Sequence, residues 1–208
     1  MNTAFFTKSK EIANEFLQSI VFLDDKAFQE DNSQHAFDAF EVSKAFADEK
    51  KICGIYNPTT KSDIDSFKDI AKKSDVVILD WLIKMPDEDV QDNNADEDED
   101  DPRGKYTMHI IRELINSQGL KLIIIYTGED ILDEIATEIF EKVNTILPNK
   151  GECEISSDSI KLLVRYKSKD IEYDKLKFRS RPYLMDKIIS YQDLPDFVLT
   201  EFTKMTEG

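Results

Sequence analysis

Five short apolar runs divide the chain, and most of them are rich in β-branched and large aliphatic residues. Short, mostly apolar runs of this kind predict strands in a sheet that is covered on both faces. They lie at residues 19–23, 52–56, 75–79, 120–126 and 160–166. Elsewhere, apolar positions recur every three or four residues, which predicts amphipathic helices. These helices are expected at residues 5–18, 35–48, 62–72, 106–116, 130–146 and 194–205.

This alternation of strands and helices predicts an α/β fold, a doubly wound parallel sheet with helices on both faces. The length of 208 residues suits one domain with additions. We expect a helical extension at residues 1–18 and one domain at residues 19–208. Two segments interrupt the pattern. Residues 87–101 are expected to be a disordered acidic insertion, and residues 168–192 an irregular, mixed-charge insertion before the last helix.

The net charge of −16 limits the partners that the chain can have. A protein this acidic repels nucleic acid and anionic lipid, so we expect neither as a partner. Residues 87–101 contain ten acidic residues and no basic residue, and without them the charge would be −6. No apolar run is long enough to span a membrane. The two cysteines form no disulfide framework, which favours the reducing cytoplasm.

Polar side chains stand at the predicted carboxyl ends of four strands. Asp24 and Asp25 follow the first run, Asp80 the third, Thr127 the fourth and Lys167 the fifth. In a parallel sheet these ends share one edge, where ligands of open α/β sheets bind. Three carboxylates close together repel one another unless a cation relieves the repulsion. Mg²⁺ prefers carboxylate oxygens, water and phosphate oxygens, so we expect a magnesium site here.

The same set of residues is suited to phosphoryl transfer. A carboxylate can act as a nucleophile toward phosphorus and form an aspartyl phosphate. The reaction needs positioning and neutralisation of charge on the phosphoryl oxygens more than covalent assistance. Mg²⁺ and a lysine ammonium group supply that neutralisation. A threonine hydroxyl could then donate a hydrogen bond to a phosphoryl oxygen.

The order of an acidic pair, a single Asp, a Thr and a Lys resembles the receiver domains of response regulators, in a divergent branch. The segments SIVFLDD, DVVILDW, LKLIIIYTG and IKLLVRYK carry the resemblance, and Gly104 also fits. It implies a flavodoxin-like sheet of five parallel strands in the order 2-1-3-4-5. The roles that it implies are phosphorylation at Asp80, metal binding by Asp24, Asp25, Asp80 and the carbonyl of Leu82, a switch hydroxyl at Thr127, and a phosphoryl contact by Lys167.

The sequence departs from the receiver pattern in the segment around Lys167. The usual Lys-Pro step is absent, because Ser168 follows Lys167. Lys169 is an alternative for the conserved lysine, and it would place Tyr166 where receivers often carry a switch aromatic. We favour Lys167, since it directly follows the apolar run. The loop after Asp80 is also longer than usual.

The resemblance implies a signalling domain rather than an enzyme, with at most self-catalysed phosphorylation and dephosphorylation. Its expected partners are a sensor histidine kinase or a phosphotransfer protein, and an effector protein. One alternative is a receiver-like module that binds a partner independently of phosphorylation. Another is a haloacid-dehalogenase-like phosphatase, but such an enzyme needs a second Asp two residues after the nucleophile. Leu82 occupies that position.

Overall fold

A computed structural model describes residues 3–28, 37–85 and 103–206, with side chains from residue 7 onward. The acidic segment 87–101 therefore lies outside the described residues. The helices are α1 (Thr3–Phe16), α2 (Ala39–Asp48), α3 (Lys61–Lys73), α4 (Lys105–Leu114), α5 (Leu132–Val143), α6 (Ile171–Lys177) and α7 (Leu194–Thr206). The strands are β1 (Ile20–Leu23), β2 (Cys53–Tyr56), β3 (Val76–Leu79), β4 (Lys121–Thr127), β5 (Asn149–Gly151), β6 (Glu154–Ser156), β7 (Ile160–Ser168) and β8 (Ile188–Ser190).

The centre of the molecule is a parallel sheet in the order β2-β1-β3-β4-β7. These strands correspond to the five predicted ones, so the flavodoxin-like order 2-1-3-4-5 is confirmed. Leu23 of β1 pairs with Leu79 of β3, and Leu79 pairs with Ile125 of β4. This register aligns the carboxyl ends of β1 and β3, and it brings the residues that follow them to one edge of the sheet.

Helices cover both faces of the sheet. The apolar side chains of α3, α4 and α5 form one core with the alternate residues of the strands. Those of α1, α2 and α7 form the second core on the opposite face. Local signals fix the beginnings of two of the helices. The Asp38 carboxylate accepts from the Glu41 N–H at the start of α2, and Thr60 and Asp63 form a capping box at the start of α3.

The sheet is larger than expected at the outer edge of β7. Among the described residues it has eight strands, because the antiparallel hairpin of β5 and β6 pairs with β7, and β8 pairs in parallel with the end of β7. The expectation that residues 168–192 are irregular is wrong, since they contain α6, a 3-10 helix (Pro182–Lys187) and β8. These elements are too short for a periodic sequence signal, and the strand β8 depends on its pairing with β7.

Helix α1 packs on the same layer as the C-terminal helix. Ala13 and Leu17 are buried in the core of α2 and α7, and the Lys10 ammonium lies 2.5 Å from a carboxylate oxygen of Asp196. The exposed ion pair contributes little stability, so apolar burial holds α1 in place. In the described part of the chain, no helix is both long and apolar enough to cross a membrane.

Candidate functional site

The residues expected at the site lie together at the carboxyl edge of the parallel strands. Asp24 and Asp25 follow β1, Asp80 follows β3, Thr127 ends β4, and Lys167 is the penultimate residue of β7. All five side chains are buried. Buried charged groups are rare unless they are paired or hydrogen-bonded. Their collection at one edge therefore needs specific contacts.

Lys167 connects two of the acids. Its ammonium nitrogen lies 2.7 Å from Oδ2 of Asp24 and 3.3 Å from Oδ1 of Asp80. It also lies 5.3 Å from the centre of the Phe37 ring, within range of a cation–π contact. Lys169, the alternative lysine, is exposed. The structure thus places Lys167, and not Lys169, between the acids.

Backbone N–H groups orient the carboxylates. Asp24 Oδ1 accepts from the N–H of Lys26 at 2.9 Å, and Asp25 Oδ2 accepts from the N–H of Lys84 at 3.2 Å. Asp80 Oδ2 accepts from the N–H of Leu82 at 3.1 Å. The loop after β3 therefore supplies donors to Asp25 and to Asp80. These contacts orient the carboxylates at fixed positions and reduce the cost of burying them.

Burial changes the proton affinities of these groups. Loss of solvation raises the pKa of Asp80 to about 7; the Lys167 ammonium opposes this shift, while the Asp24 and Asp25 carboxylates add to it. Burial and the neighbouring Asp24 likewise raise the pKa of Asp25. For Lys167, burial lowers the pKa, but the carboxylates of Asp80 and Asp24 outweigh burial and hold it above its ordinary value. Negative charge is therefore in excess at this site among the described residues.

The donor chemistry fits Mg²⁺. Two carboxyl groups contact Lys167, and that of Asp25 interacts electrostatically with both of them. Oxygen ligands with an excess of negative charge are what a hard divalent cation requires. As they stand, however, no three acidic, histidine or cysteine side chains within the described ranges enclose a metal position. Lys167 already occupies oxygens of Asp24 and Asp80. A divalent cation would compete with its ammonium group for them.

Thr127 lies two residues beyond the pairing of Leu79 with Ile125, and it is opposite Tyr166 of β7. Its buried hydroxyl oxygen accepts from the N–H of Glu129 at 3.2 Å. This bond fixes the turn that leads from β4 toward α5. The hydroxyl hydrogen is not used in that bond, so Thr127 retains a donor at the edge of the sheet.

Thr107 and Trp81, which the sequence did not assign to the site, support it together with Gly104. Thr107 of α4 contacts the carbonyl groups of Asp80 and Trp81. Trp81 is 2% exposed and lies directly against Gly104, which has a φ of +77°. The close contact between Gly104 and Trp81 was only weakly indicated by the sequence, which has a glycine just before a predicted helix. The role of Thr107 had none, because a threonine inside an amphipathic helix has no distinctive pattern.

The segment 168–192 also contacts the site from the side of β7. Ile189 of β8 pairs with Lys167, and the Tyr126 hydroxyl donates to the carbonyl of Ile189 at 2.8 Å. Arg181 donates to the carbonyl and the carboxylate of Asp130, in the turn after Thr127. This segment is thus attached to the strand of Lys167 and to the Thr127 turn.

Comparison with protein families identifies one match. Residues 16–172 match the model of the response receiver domain. The match covers most of the chain and includes Asp24, Asp25, Asp80, Thr127 and Lys167. No curated protein and no solved structure shows significant similarity to the chain. Receiver domains in general are signalling domains that bind Mg²⁺ and interact with histidine kinases or phosphotransfer proteins and with effectors. The strand order, the acids at the sheet edge and this match together lead to one conclusion: the chain belongs to the response receiver family, a family of response-regulator receiver domains.

Proposed function

We propose that the chain is the phospho-acceptor receiver domain of a cytoplasmic two-component phosphorelay. In this proposal residues 19–208 form the receiver, residues 1–18 are a helical extension, and Asp80 takes a phosphoryl group from a histidine kinase or a phosphotransfer protein. The observation that carries the proposal is the buried Asp80 carboxyl group beside the Lys167 ammonium, with a second acid on the same lysine. A buried carboxylate that is oriented and poised near neutral pH is suited to act as a nucleophile.

The reaction follows from the positions of the side chains. A carboxylate oxygen of Asp80 attacks the phosphorus of a phosphohistidine, and an O–P bond forms as the N–P bond breaks. The electron pair of the broken bond stays on the imidazole nitrogen, which takes a proton from solvent. Lys167, already 3.3 Å from Asp80, neutralises charge on the incoming phosphoryl oxygens. Thr127 donates its hydroxyl hydrogen to one of them.

Asp24 and Asp25, with Asp80 and the carbonyl of Leu82, would hold Mg²⁺. When bound, the cation neutralises charge on the phosphoryl oxygens. The Asp24 carboxylate would then exchange its contact with Lys167 for one with the cation. This exchange would free the ammonium group of Lys167 for the phosphoryl group, so the ion pair in the structure would represent the unphosphorylated resting arrangement.

The test is the intact mass of the protein after incubation with a small phosphodonor, such as phosphoramidate, and Mg²⁺. We expect the gain of one phosphoryl group, which is lost in Asp80→Ala and without Mg²⁺. Asp75→Asn is the matched control, because Asp75 precedes the same strand at its opposite end and Asn keeps the oxygen that accepts from Ser19. A gain of mass that survives Asp80→Ala, or the absence of any gain in the parent protein, would contradict the proposal.

A second candidate is a receiver-like module that binds its partner without phosphorylation. It is favoured by the two contacts that Lys167 makes with the acids and by the arrangement of the described acids, which encloses no metal position. If this candidate is correct, neither Mg²⁺ nor a phosphodonor will change the protein. The mass measurement above, combined with Mg²⁺ titration of the Trp81 fluorescence, separates the two candidates.

A further inference from the structure

Thr107 joins helix α4 to the backbone of the loop that follows β3 and begins at Asp80, called the acceptor loop below. It is the third residue of α4 and fully buried. Its Oγ1 donates to the carbonyl of Asp80 at 2.7 Å and lies 3.2 Å from the carbonyl of Trp81. A threonine in a helix ordinarily bonds a carbonyl of its own preceding turn. Thr107 instead reaches across to a loop that is 26 and 27 residues earlier in the chain.

The two carbonyl groups that Thr107 contacts belong to the backbone that defines the site. The N–H of Asp80 donates to the carbonyl of Leu23 at 2.9 Å, so the first peptide of the loop is held by β1. The N–H of Leu82 donates to the Asp80 carboxylate at 3.1 Å. Thr107 contacts the carbonyl of the Asp80–Trp81 peptide and that of the Trp81–Leu82 peptide, whose N–H is the Leu82 donor. The direction of those peptides determines where the Asp80 carboxylate points and how the Leu82 backbone leaves the strand.

The packing of Trp81 adds a second constraint on the same segment. A Cβ on Gly104 would lie 2.2 Å from Cζ2 of Trp81, so the indole ring presses against the first turn of α4. Trp81 and Thr107 therefore fix the loop to α4 through a side chain and through the backbone. The indole contact fixes the distance between loop and helix. The hydroxyl bond also fixes the orientation of the peptides, because hydrogen bonds are directional.

We propose that Thr107 is a positioning residue of this site: its hydroxyl orients the backbone from Asp80 to Leu82 and thereby the oxygens available to Mg²⁺. The inference rests on the proposed function above. Side chains that orient metal ligands without touching the metal commonly change its affinity by about 10- to 100-fold when they are replaced. Loss of the hydroxyl should therefore weaken Mg²⁺ binding more than it impairs the reaction at saturating Mg²⁺.

The experiment compares Thr107→Val, which keeps the shape and removes the hydroxyl, with Thr107→Ser, which keeps the hydroxyl. The matched control is Thr203→Val in α7. Thr203 is also fully buried and donates to the carbonyl of Leu199 at 2.7 Å, but it lies in the core of the opposite face. Mg²⁺ affinity is read from the fluorescence of Trp81, the single tryptophan of the chain, which adjoins Asp80. Phosphorylation by phosphoramidate at saturating Mg²⁺ is measured in parallel.

We expect Thr107→Val to raise the Kd for Mg²⁺ about tenfold, with a smaller change in the phosphorylation rate at saturating Mg²⁺. Thr107→Ser should restore the parental Kd to within about twofold, and Thr203→Val should leave it unchanged although it lowers the thermal midpoint. If Thr107→Val does not fold, Thr107→Ala takes its place. An equal Kd in the Thr107→Val and Thr203→Val variants overturns the inference, as does a Thr107→Ser variant as weak as Thr107→Val. A parental protein that binds no Mg²⁺ and gains no phosphoryl group overturns the proposed function itself, and this is seen before any variant is compared.

Discussion

At the scale of single residues, the chemistry depends on an unequal balance of buried charge. Lys167 is 4% exposed and contacts Asp24 and Asp80, while Asp25 adds a third carboxyl group nearby. One ammonium group cannot neutralise three carboxylates. Burial raises the pKa of Asp80 to about 7, the Lys167 ammonium opposes this shift, and the Asp24 and Asp25 carboxylates add to it. The site is therefore electrostatically strained in the absence of a divalent cation, and this strain has measurable consequences.

The first prediction concerns the stability of Asp80→Asn as a function of pH. The pKa of Asp80 is about 7 in the folded protein, above the ordinary 3.8, so the folded protein binds a proton that the unfolded chain has released. Stability from this group is then present at low pH and is lost as the pH rises toward 7. Without Mg²⁺, near pH 8, Asp80→Asn should raise the free energy of unfolding by about 1–4 kcal/mol.

This gain is expected because Lys167 keeps its shorter contact with Asp24 when Asp80 loses its charge. Urea unfolding at several pH values, without Mg²⁺, measures the effect. The difference between the two proteins should shrink toward pH 5, where Asp80 of the parent protein is itself protonated. A variant that is less stable than its parent near pH 8 would contradict this account of the site.

The second prediction separates Lys167 from Lys169. Lys167→Gln removes the ammonium group between two buried carboxylates and should lower the free energy of unfolding by about 3–5 kcal/mol near pH 8. The loss should diminish at lower pH, because the uncompensated carboxylates take up protons. Lys169→Gln is the matched control. The Lys169 side chain is exposed, so we expect this variant to change the free energy of unfolding by less than about 0.5 kcal/mol.

Phosphorylation of the same two variants provides a second measurement. Lys167→Gln should abolish or strongly slow the gain of a phosphoryl group from phosphoramidate, since it removes a positive charge that lies 3.3 Å from the Asp80 carboxylate. Lys169→Gln should react at the parental rate. If Lys169→Gln is slow and Lys167→Gln reacts at the parental rate, then Lys169 is the lysine that contacts the phosphoryl group.

At the scale of elements, the site depends on how α4 approaches the loop after β3. Gly104 caps α4 with a φ of +77°, and its lack of a side chain admits the ring of Trp81. The third prediction is that Gly104→Ala lowers the free energy of unfolding by about 2–4 kcal/mol, because it combines backbone strain with a steric overlap. Guanidinium or urea unfolding is the measurement.

Gly119→Ala is the matched control for that prediction. Gly119 also has a positive φ, +94°, but nothing lies within 4 Å of the position of its Cβ. Gly119→Ala should lower the free energy of unfolding by only about 1 kcal/mol, because it introduces backbone strain without a steric overlap. Gly104→Ala should also weaken Mg²⁺ binding, whereas Gly119→Ala should not. Equal effects of the two variants would show that the contact with Trp81 is unimportant.

The segment 168–192 is the second feature at this scale. Its strand β8 pairs with the end of β7, so β7 continues through Lys167 to Ser168 and does not stop at Tyr166 as the sequence predicts. The pairing supplies backbone partners to the residues on either side of the lysine. The segment thus stabilises the position of Lys167, and it is attached to the Thr127 turn by Arg181.

At the scale of the whole molecule, the distribution of charge matters most. The chain carries −16, and ten of its acidic residues lie at 87–101, beginning seven residues after Asp80. A small phosphodonor is an anion, and negative charge near the acceptor reduces its local concentration. We therefore expect the negative charge of the chain to oppose the approach of such a donor, and ten of its acidic residues belong to one segment of the sequence.

The fourth prediction follows from that charge. Replacing the ten acidic residues by Asn and Gln should speed phosphorylation by acetyl phosphate about 3- to 10-fold at low ionic strength. The difference should nearly vanish at about 1 M salt, where the screening length falls to about 3 Å. The measurement is the initial rate of mass gain at saturating Mg²⁺. A difference that persists at high salt would mean that the segment acts by something other than its charge.

The sequence by itself determined the arrangement of the sheet and the identity of the acids. Short apolar runs rich in β-branched residues favour buried strands, and their alternation with helices predicts that the strands are parallel. Parallel strands bring their carboxyl ends to one edge of the sheet. Asp24, Asp25 and Asp80 could therefore be named in advance, and Lys167 could be named as the favoured one of two lysines. Their positions in the chain, each directly after or near the end of an apolar run, carried the information.

Only the tertiary structure decided which lysine reaches the acids and what holds the acceptor loop. Lys167 and Lys169 are equivalent in a pattern of alternating residues, and the pairing of β8 with β7 extends the strand far enough to bury the first of them. The contact of Thr107 with Asp80 joins residues 27 positions apart, and the hairpin of β5 and β6 exists through its partner strand. Such features arise from contacts between distant segments, and no local periodicity records them.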